Sequence, residues 1–359
     1  MMTTPLISAL REQVLEAAAR GRALRPHGSG SKDFLALHLA GTPLDMRGAQ
    51  GVIAYEPSEL YLTAHAGTRL ADVEALLARH NQMLAFEPPH FGTHATLGGA
   101  LASGLSGPRR IASGSLRDFV LGVTVMDGQG RVLRFGGQVM KNVAGFDVSR
   151  LIAGSFGTLC LILDVTLKVL PRSLAQRTHV LALDETVALQ RMREWGAQPL
   201  PVSATCWHDG LLSVRLSGAR PALDAAARQI GGEVLGDVAA DVFWQDVREH
   251  RHAFFAGDAP LWRIALPPLA PHLPFDGARL IEWNGMQRWL RSDTDADALR
   301  HAVAAMGGHS TLFRGGRAFD RALDVFEPLV PEVMAVHRRL KQAFDPSGVF
   351  SPGRLYADL

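Results

Sequence analysis

Cysteine is nearly absent: Cys160 and Cys206 are the only two in 359 residues. Two thiols cannot build a disulfide framework, an iron–sulfur cluster or a cysteine-based zinc site, each of which needs more sulfur at defined spacings. A reducing, cytoplasmic compartment fits best. Long apolar runs are also missing. The opening Met1-Met2-Thr3-Thr4-Pro5 leads straight into a charged amphipathic segment without the apolar core of a signal peptide, and no run of about 18 apolar residues follows. Neither a membrane span nor export by the usual route is expected. There is no excess of one charge either: 37 basic against 35 acidic residues leave a net +2, scattered without a basic block, which argues against nucleic acid as a partner. No Ser-His-Asp or Cys-His hydrolase signature occurs, and no internal repeat is evident.

With 47% apolar and 20% charged residues the chain has the composition of a folded globular protein, and its length suggests about two domains, since single cores stop growing near roughly 250 residues. Leu6, Ile7, Leu10, Val14 and Ala18 recur at helical spacing over 6–20, with Gly21 as the stop. A short strand at Ala23-Leu24-Arg25 and a strand near Tyr61 to Ala66 precede a helix with Thr68 as its expected N-cap and Leu70, Val73, Leu76 and Leu77 inward. Val123 and Val125 on one side, and Val132 and Leu133 on the other, flank Asp127-Gly128-Gln129-Gly130, which predicts a hairpin. Residues 161–169 alternate as a half-buried strand that Pro171 ends, and the domain boundary is placed there. Downstream, strands near 177–183, 202–207, 211–217, 261–266 and 279–283 alternate with helices near 185–195, 219–229 and 295–306. This predicts a second α/β unit, an open sheet with helices on one face and a proline-rich loop at 267–274. Pro331 opens a last helix whose inner face would carry Val333, Met334, His337, Leu340 and Phe344, with Asp345-Pro346-Ser347-Gly348 as its end.

Two stretches could carry chemistry. In Pro26-His27-Gly28-Ser29-Gly30-Ser31, the glycines let successive backbone N–H groups point into one concavity able to hold phosphate oxygens; a plain turn reads equally well from these residues alone. The loop is neither a dinucleotide-binding glycine fingerprint nor a P-loop, because the third glycine and the Gly-Lys-Ser/Thr are missing. The second stretch runs from Pro88-Pro89 through Thr96-Leu97-Gly98-Gly99-Ala100-Leu101-Ala102-Ser103-Gly104. Its small residues would let backbone approach a flat ring or a pyrophosphate, and the helix from Gly98 would turn its N-terminal dipole toward an anion.

These two stretches are followed, in order, by Gly114-Ser115-Leu116-Arg117-Asp118-Phe119-Val120, by Lys141-Asn142-Val143-Ala144-Gly145-Phe146-Asp147 and by Gly154-Ser155-Phe156-Gly157-Thr158-Leu159. The set resembles the FAD domain of vanillyl-alcohol-oxidase and para-cresol-methylhydroxylase relatives. Within that superfamily the likeness is greatest to the FAD-binding subunits of bacterial glycolate oxidase, and Leu261-Trp262-Arg263-Ile264, Gly307 to Gly315 and Phe344 to Arg354 extend it nearly end to end. The resemblance implies an α+β fold: a two-subdomain FAD-binding domain at 1–172, a smaller α/β ferredoxin-like cap at 173–330, and a C-terminal helix and tail at 331–359 returning to the FAD domain. It implies non-covalent FAD, since no His or Cys stands where a covalent link would form. Its pyrophosphate would lie on Pro26, His27, Gly28, Ser29, Gly30 and Ser31 and on the Pro88, Pro89, Thr96, Gly98, Gly99, Ala102 and Ser103 stretch. Gly104, Gly107, Gly114 and Val120 would be close by, and Gly157, Thr158 and Ile162 would approach from the later loop and strand. His27 is read as a loop-stabilising group, and Lys141 and Asn142 as near the flavin or as a loop anchor, with Asp147 capping the next helix. Ser351-Pro352-Gly353 departs from the Asn-Pro-Gly that relatives often carry.

The metal-binding Gly-Asp-Gly-Asn-x-His type of motif found in relatives that oxidise 2-hydroxy acids alone is missing. His250-Arg251-His252 reads as a solvated helix face, so no metal and no assigned catalytic residue are expected. The resemblance therefore implies a subunit of a glycolate oxidase complex that oxidises glycolate to glyoxylate with a sister FAD subunit and an iron–sulfur subunit. Such a subunit would have little activity in isolation and would be cytoplasmic, reaching the inner membrane only through the complex. Two alternatives stay open at this point: a self-sufficient flavin oxidoreductase on another alcohol or 2-hydroxy acid, anchored by Arg314 or Arg263, and a non-catalytic assembly subunit with a structural FAD site.

Overall fold

Alternating apolar residues and two hairpins per sheet produce two large antiparallel sheets, one in each of two compact units of the computed structural model, which describes residues 4–35, 39–137, 147–315 and 325–359. The first unit comprises Met1–Leu105, Ser115–Pro171 and Pro328–Leu359; the second comprises Ser106–Gly114 and Arg172–Glu327.

In the first unit, β1 (Leu24–His27) pairs in parallel with β2 (Thr42–Asp45). The main sheet joins β3 (Val52–Glu56), β4 (Tyr61–His65), β6 (Val120–Met126), β7 (Val132–Gly136) and β8 (Leu161–Lys168) in the order β3-β4-β8-β6-β7. The short β5 (Gln82–Met83) pairs with β9 (Leu170–Pro171). Strand β8 lies at the centre and is buried on both faces rather than half-buried, because a core packs on each side of the sheet. Its alternation also flips. Thr124 faces Asp164 while Val125 faces Ile162, so Leu163 is the extra residue of a bulge. Leu161 and Leu163 therefore join the core under the N-terminal helix, and Ile162, Val165 and Leu167 join the opposite one.

Helix Leu70–Ala78 is not capped by Thr68: its N-cap is Arg69, and Thr68 exchanges hydrogen bonds with the Gly51 backbone instead. The hairpin forms where expected, but the left-handed residue is Gly130 (φ +72°) rather than Gly128. Buried Asp127 ties that turn by accepting from the Gln129 and Arg131 amides, each at 2.9 Å. Gly128 is needed for a different reason, since a Cβ there would stand 2.3 Å from Asp345 Oδ1. Helix Pro331–Phe344 forms with Pro331 in its first turn; Met334, His337, Leu340 and Phe344 are half-buried, whereas Val333 faces solvent.

The second unit holds β10 (Ala175–Ala182), β11 (Val202–His208), β12 (Leu211–Gly218), β13 (Glu233–Leu235), β14 (Leu261–Ala265), β15 (Ala278–Glu282), β16 (Gln287–Arg291) and β17 (His309–Arg314) in one eight-stranded sheet, β13-β10-β12-β11-β15-β16-β14-β17. The first four strands and the last four follow the same path, and the two sets meet through their second strands β11 and β15. The unit thus contains a repeat of topology that residue types do not reveal. In the second copy the loop 266–277 takes the place of the first copy's helix Glu185–Gly196. Helices Glu185–Gly196, Arg220–Ile230 and Ala296–Ala305 bury apolar side chains against one face. Helices are not confined to that face: Trp244, on helix Asp237–Arg248, donates to Thr178 Oγ1 on the other side of β10. His250 is likewise not solvated. The chain turns at its positive φ of +54°, and the ring stacks on Phe255 at 4.0 Å beside Trp289 and Phe313. Burial, then Arg314 and Arg263, hold its pKa well below the usual histidine value.

Candidate functional site: a glycine-walled cleft in the first unit

The loop that leaves β1 is braced by charge. Asp33 accepts from Arg25 on one oxygen at 2.9 Å and from Arg354 on the other at 3.1 Å. His27 Nδ1 lies 3.2 Å from the Arg25 guanidinium and 3.8 Å from Asp33, so its partners are side chains rather than the loop backbone. Gly30, at φ +71°, lets the chain turn over this cluster, since a Cβ there would stand 3.0 Å from His27 Cε1. The amides of Gly28, Ser29 and Gly30 find no acceptor among the described residues. A run of unclaimed N–H groups on a concave loop is an anion-binding arrangement.

Opposite the loop stands the helix Leu97–Ser103, whose N-cap Thr96 accepts from the Gly99 amide at 3.2 Å. Gly98 is tight against Ala66, where a Cβ would come within 2.8 Å of the alanine methyl. The amides of this helix do not face an anion: Leu97 N–H donates to Thr68 O, Gly98 N–H to Ala66 O and Gly99 N–H to Thr96. The expectation of a dipole aimed at phosphate is therefore corrected, because the first turn is spent on pinning the helix to the end of β4.

Between loop and helix opens a cleft that communicates with solvent. It brings together Pro26, His27, Gly28, Ser29, Gly30, Ser31, Thr96, Gly98, Gly99, Ala102, Ser103, Gly157 and Ile162. Pro88, Pro89, Gly104, Val120 and Thr158 do not line it. The two prolines and Val120 are buried behind the wall, Gly104 ends the helix against Gly154, and the Thr158 hydroxyl donates to Ser155 O. Gly107 and Gly114 belong to the second unit. Lys141 and Asn142 lie outside the described residues, while Asp147 does cap the helix after it by accepting from Arg150 N–H.

The cleft also takes in residues that sequence reasoning missed: Lys32, Asp33, Met46, Ala66, Phe156, Cys160, Leu161 and Arg354. Lys32 is buried, with Nζ donating to His90 O and Ser31 Oγ. Arg354 is buried too, and its Nε meets no acceptor among the described residues. Burial pushes its guanidinium pKa down while Asp33 pulls it up. A signal existed for both, since Lys32 directly follows the loop and Arg354 ends the quoted C-terminal motif. Cys160 is sealed in the wall, and burial, then Asp127 and Asp345, push its thiol far above the usual range, so it stays protonated.

The sequence was compared with known proteins. An FAD binding domain family model matches residues 7–136. The glycolate oxidase subunit GlcE of Escherichia coli (strain K12) is 44% identical over 351 residues, covering 98% of this chain and 97% of that protein. The chain belongs to the GlcE family of glycolate oxidase subunits. As a GlcE-family chain it is an FAD-linked oxidoreductase subunit. Two further relatives match over shorter stretches. Glycolate oxidase subunit GlcD of Bacillus subtilis (strain 168) is 32% identical over 133 residues, 37% of this chain and 28% of that protein. D-lactate dehydrogenase of Archaeoglobus fulgidus is 35% identical over 108 residues, 30% of this chain and 24% of that protein. Among solved structures, alkyldihydroxyacetonephosphate synthase superposes with a TM-score of 0.65 at 16% identity, covering 96% of this chain and 74% of that one, which shows the shared mixed α/β fold of this GlcE-family protein. The cleft suits the family's cofactor: amides without a protein acceptor and two buried cations line it as donors fit for a diphosphate, and glycine and alanine keep its walls free of bulky side chains.

Proposed function

We propose that this chain is the GlcE-type FAD subunit of a complex that oxidises glycolate to glyoxylate together with a sister flavin subunit and an iron–sulfur subunit. The observation that carries this reading is the end-to-end identity with GlcE, which includes both units and not the flavin half alone. FAD, when bound, supplies acceptance of the two electrons that a 2-hydroxy acid loses. The protein's own groups do the holding. Gly28, Ser29 and Gly30 offer their amides to the diphosphate, Lys32 and Arg354 add charge to it, and Ala102, Ser103, Gly157 and Ile162 flank the rest of the ligand. Attachment is non-covalent, because the cleft's cysteine is a buried thiol and His27 is engaged with Arg25. The domain reading follows: an FAD-binding domain of two subdomains at 1–172, a ferredoxin-like cap at 173–330 in which the strand order of a βαββαβ unit occurs twice, the second time with a loop for its first helix, and a tail at 331–359 that completes the cleft. Among the described residues no helix is long and apolar enough to cross a membrane, and we assign the chain to the cytoplasmic side, in contact with the membrane only through its complex.

Two results test this. The chain expressed alone should be yellow, should release FAD into the supernatant on acid or heat treatment, and should reduce no dye with glycolate until the partner subunits are added. Turnover by the lone chain would refute the division of labour, and a colourless protein that takes up no FAD would refute the cleft assignment. Arg354→Gln should weaken FAD binding about tenfold, the worth of one charge-assisted hydrogen-bond donor, as read by fluorescence titration; an unchanged affinity would remove Arg354 from the site.

A further inference from the structure

The face of the second unit's sheet opposite its apolar helix layer carries a row of polar side chains. Trp262 and Ile264 of β14 point into the core with Leu299 and Val303, so Arg263 between them points the other way. There Arg263 Nε donates to Gln287 Oε1 at 2.8 Å, and Gln287 Nε2 donates to Glu282, which also accepts from Trp289 Nε1 at 2.7 Å. The hairpin that joins β15 to β16 adds an indole to this row. Trp283 and Asn284 both have left-handed backbones, φ +53° and +55°, conformations that cost a bulky residue free energy and persist where the surroundings enforce them. Asn284 is fixed by exchange of hydrogen bonds with Thr205, and Trp283 Nε1 donates to Gly107 O.

The enforced indole carries two guanidinium groups: Arg110 lies 4.5 Å and Arg263 5.4 Å from its ring centroid. Two like charges on one ring repel each other. Burial, then Arg110, push the Arg263 pKa down to about 10, while Glu282 pulls it up. Yet Arg263 forms no ion pair among the described residues, its terminal nitrogens meet no acceptor there, and the side chain is only half-buried. His309 adds a further basic group at the same edge, its pKa lowered by burial and then by Arg263. Strained backbone, stacked cations and the open terminal nitrogens of Arg263 together describe a preorganised anion site, since the planar guanidinium fork matches a carboxylate. Glu282 and Glu327 stand beside the basic groups, the latter accepting from Ser310 N–H, and their negative charge opposes a phosphate dianion more strongly than a compact monoanion.

We propose that Arg263 and Arg110, stacked on Trp283, form a binding site for the carboxylate of a small 2-hydroxy or 2-oxo acid in the second unit. The substrate class rests on the glycolate oxidase reading; the site itself does not involve the flavin cleft. The test is calorimetric titration of the full chain, as purified, with glycolate, glyoxylate and inorganic phosphate, with flavin content read from the same samples. Wild-type protein should bind both carboxylates. Arg263→Gln should weaken them about tenfold or more, Arg263→Lys should restore part of that loss, and Arg110→Gln should mirror it, all with unchanged flavin content. No carboxylate binding by the wild type, equal affinity in Arg263→Gln and Arg110→Gln, or phosphate binding as tight as glycolate would each overturn the proposal. Carboxylate binding by a chain that holds no flavin would instead leave this site standing and remove the cofactor reading.

Discussion

Asp345→Ala lowers the melting temperature of the first unit by roughly 10 °C, from a loss of about 3–5 kcal/mol. The carboxylate is 1% exposed, and its oxygens accept from the amides of Val349 and Phe350 and from Lys341 Nζ at 2.7–2.9 Å. Removing it strands two buried amides and leaves a nearly buried ammonium with only the carbonyls of Thr158 and Phe350. It also leaves Gly128, whose Cα packs on this residue, beside a void. Scanning calorimetry checks the value. A loss near 1 kcal/mol would mean that the cluster is bridged by solvent and that the tail is held mainly by Val349 and Phe350 in the core.

Gly28→Val gives a folded protein that purifies without flavin, its FAD affinity reduced roughly 100-fold. A Cβ at position 28 would stand 2.4 Å from Thr96 Oγ1 and 3.3 Å from its methyl. Thr96 is buried and cannot swing aside without releasing the Gly99 amide it caps. Overpacking costs about 1–3 kcal/mol and a lost cap about 1 kcal/mol, and the displaced threonine moves into the cleft that the ligand needs. Absorbance of the purified protein, with circular dichroism as the control for folding, decides it. Full flavin content in Gly28→Val would show that loop and helix separate freely and that the close approach of Gly28 to Thr96 plays no part in binding.

Elements whose signal is local were legible in the sequence. The N-terminal helix, the 120–136 hairpin and the helices after Asp184 and Asp295 follow from periodicity and capping within a few residues, and the glycine loop follows from its own composition. What failed depended on partners far away in the chain. Thr68 looks like a cap until Gly51 competes for it, and the amides of the 97–103 helix look free until the carbonyls of Ala66 and Thr68 are brought to them. The bulge at Leu163 inverts an alternation that one strand alone shows as regular, because register belongs to the pair. His250 reads as surface by its charged neighbours, yet one left-handed residue turns it into an aromatic cluster. In the cleft, the loop after β1 announced itself by glycine, whereas Lys32 and Arg354 are ordinary charged residues made special only by burial and by Asp33. The twofold path of the second unit is a matter of strand order, which sequence similarity between halves does not have to accompany.

The join at Leu24 sets a timetable for biosynthesis. Leu24 N–H donates to Val349 O, Leu24 O accepts from Ser351 N–H, and Asp33 reaches Arg354 across 321 residues. Strand β1 thus waits for a segment some 321 residues downstream, roughly 15–65 s at ordinary translation rates. During that interval the second unit is synthesised whole, while the first lacks one strap of its core and one wall of its cleft. The cleft wall that Arg354 supplies is thereby completed only when that downstream segment has been made, and a chain truncated before residue 345 lacks both the strap and the wall.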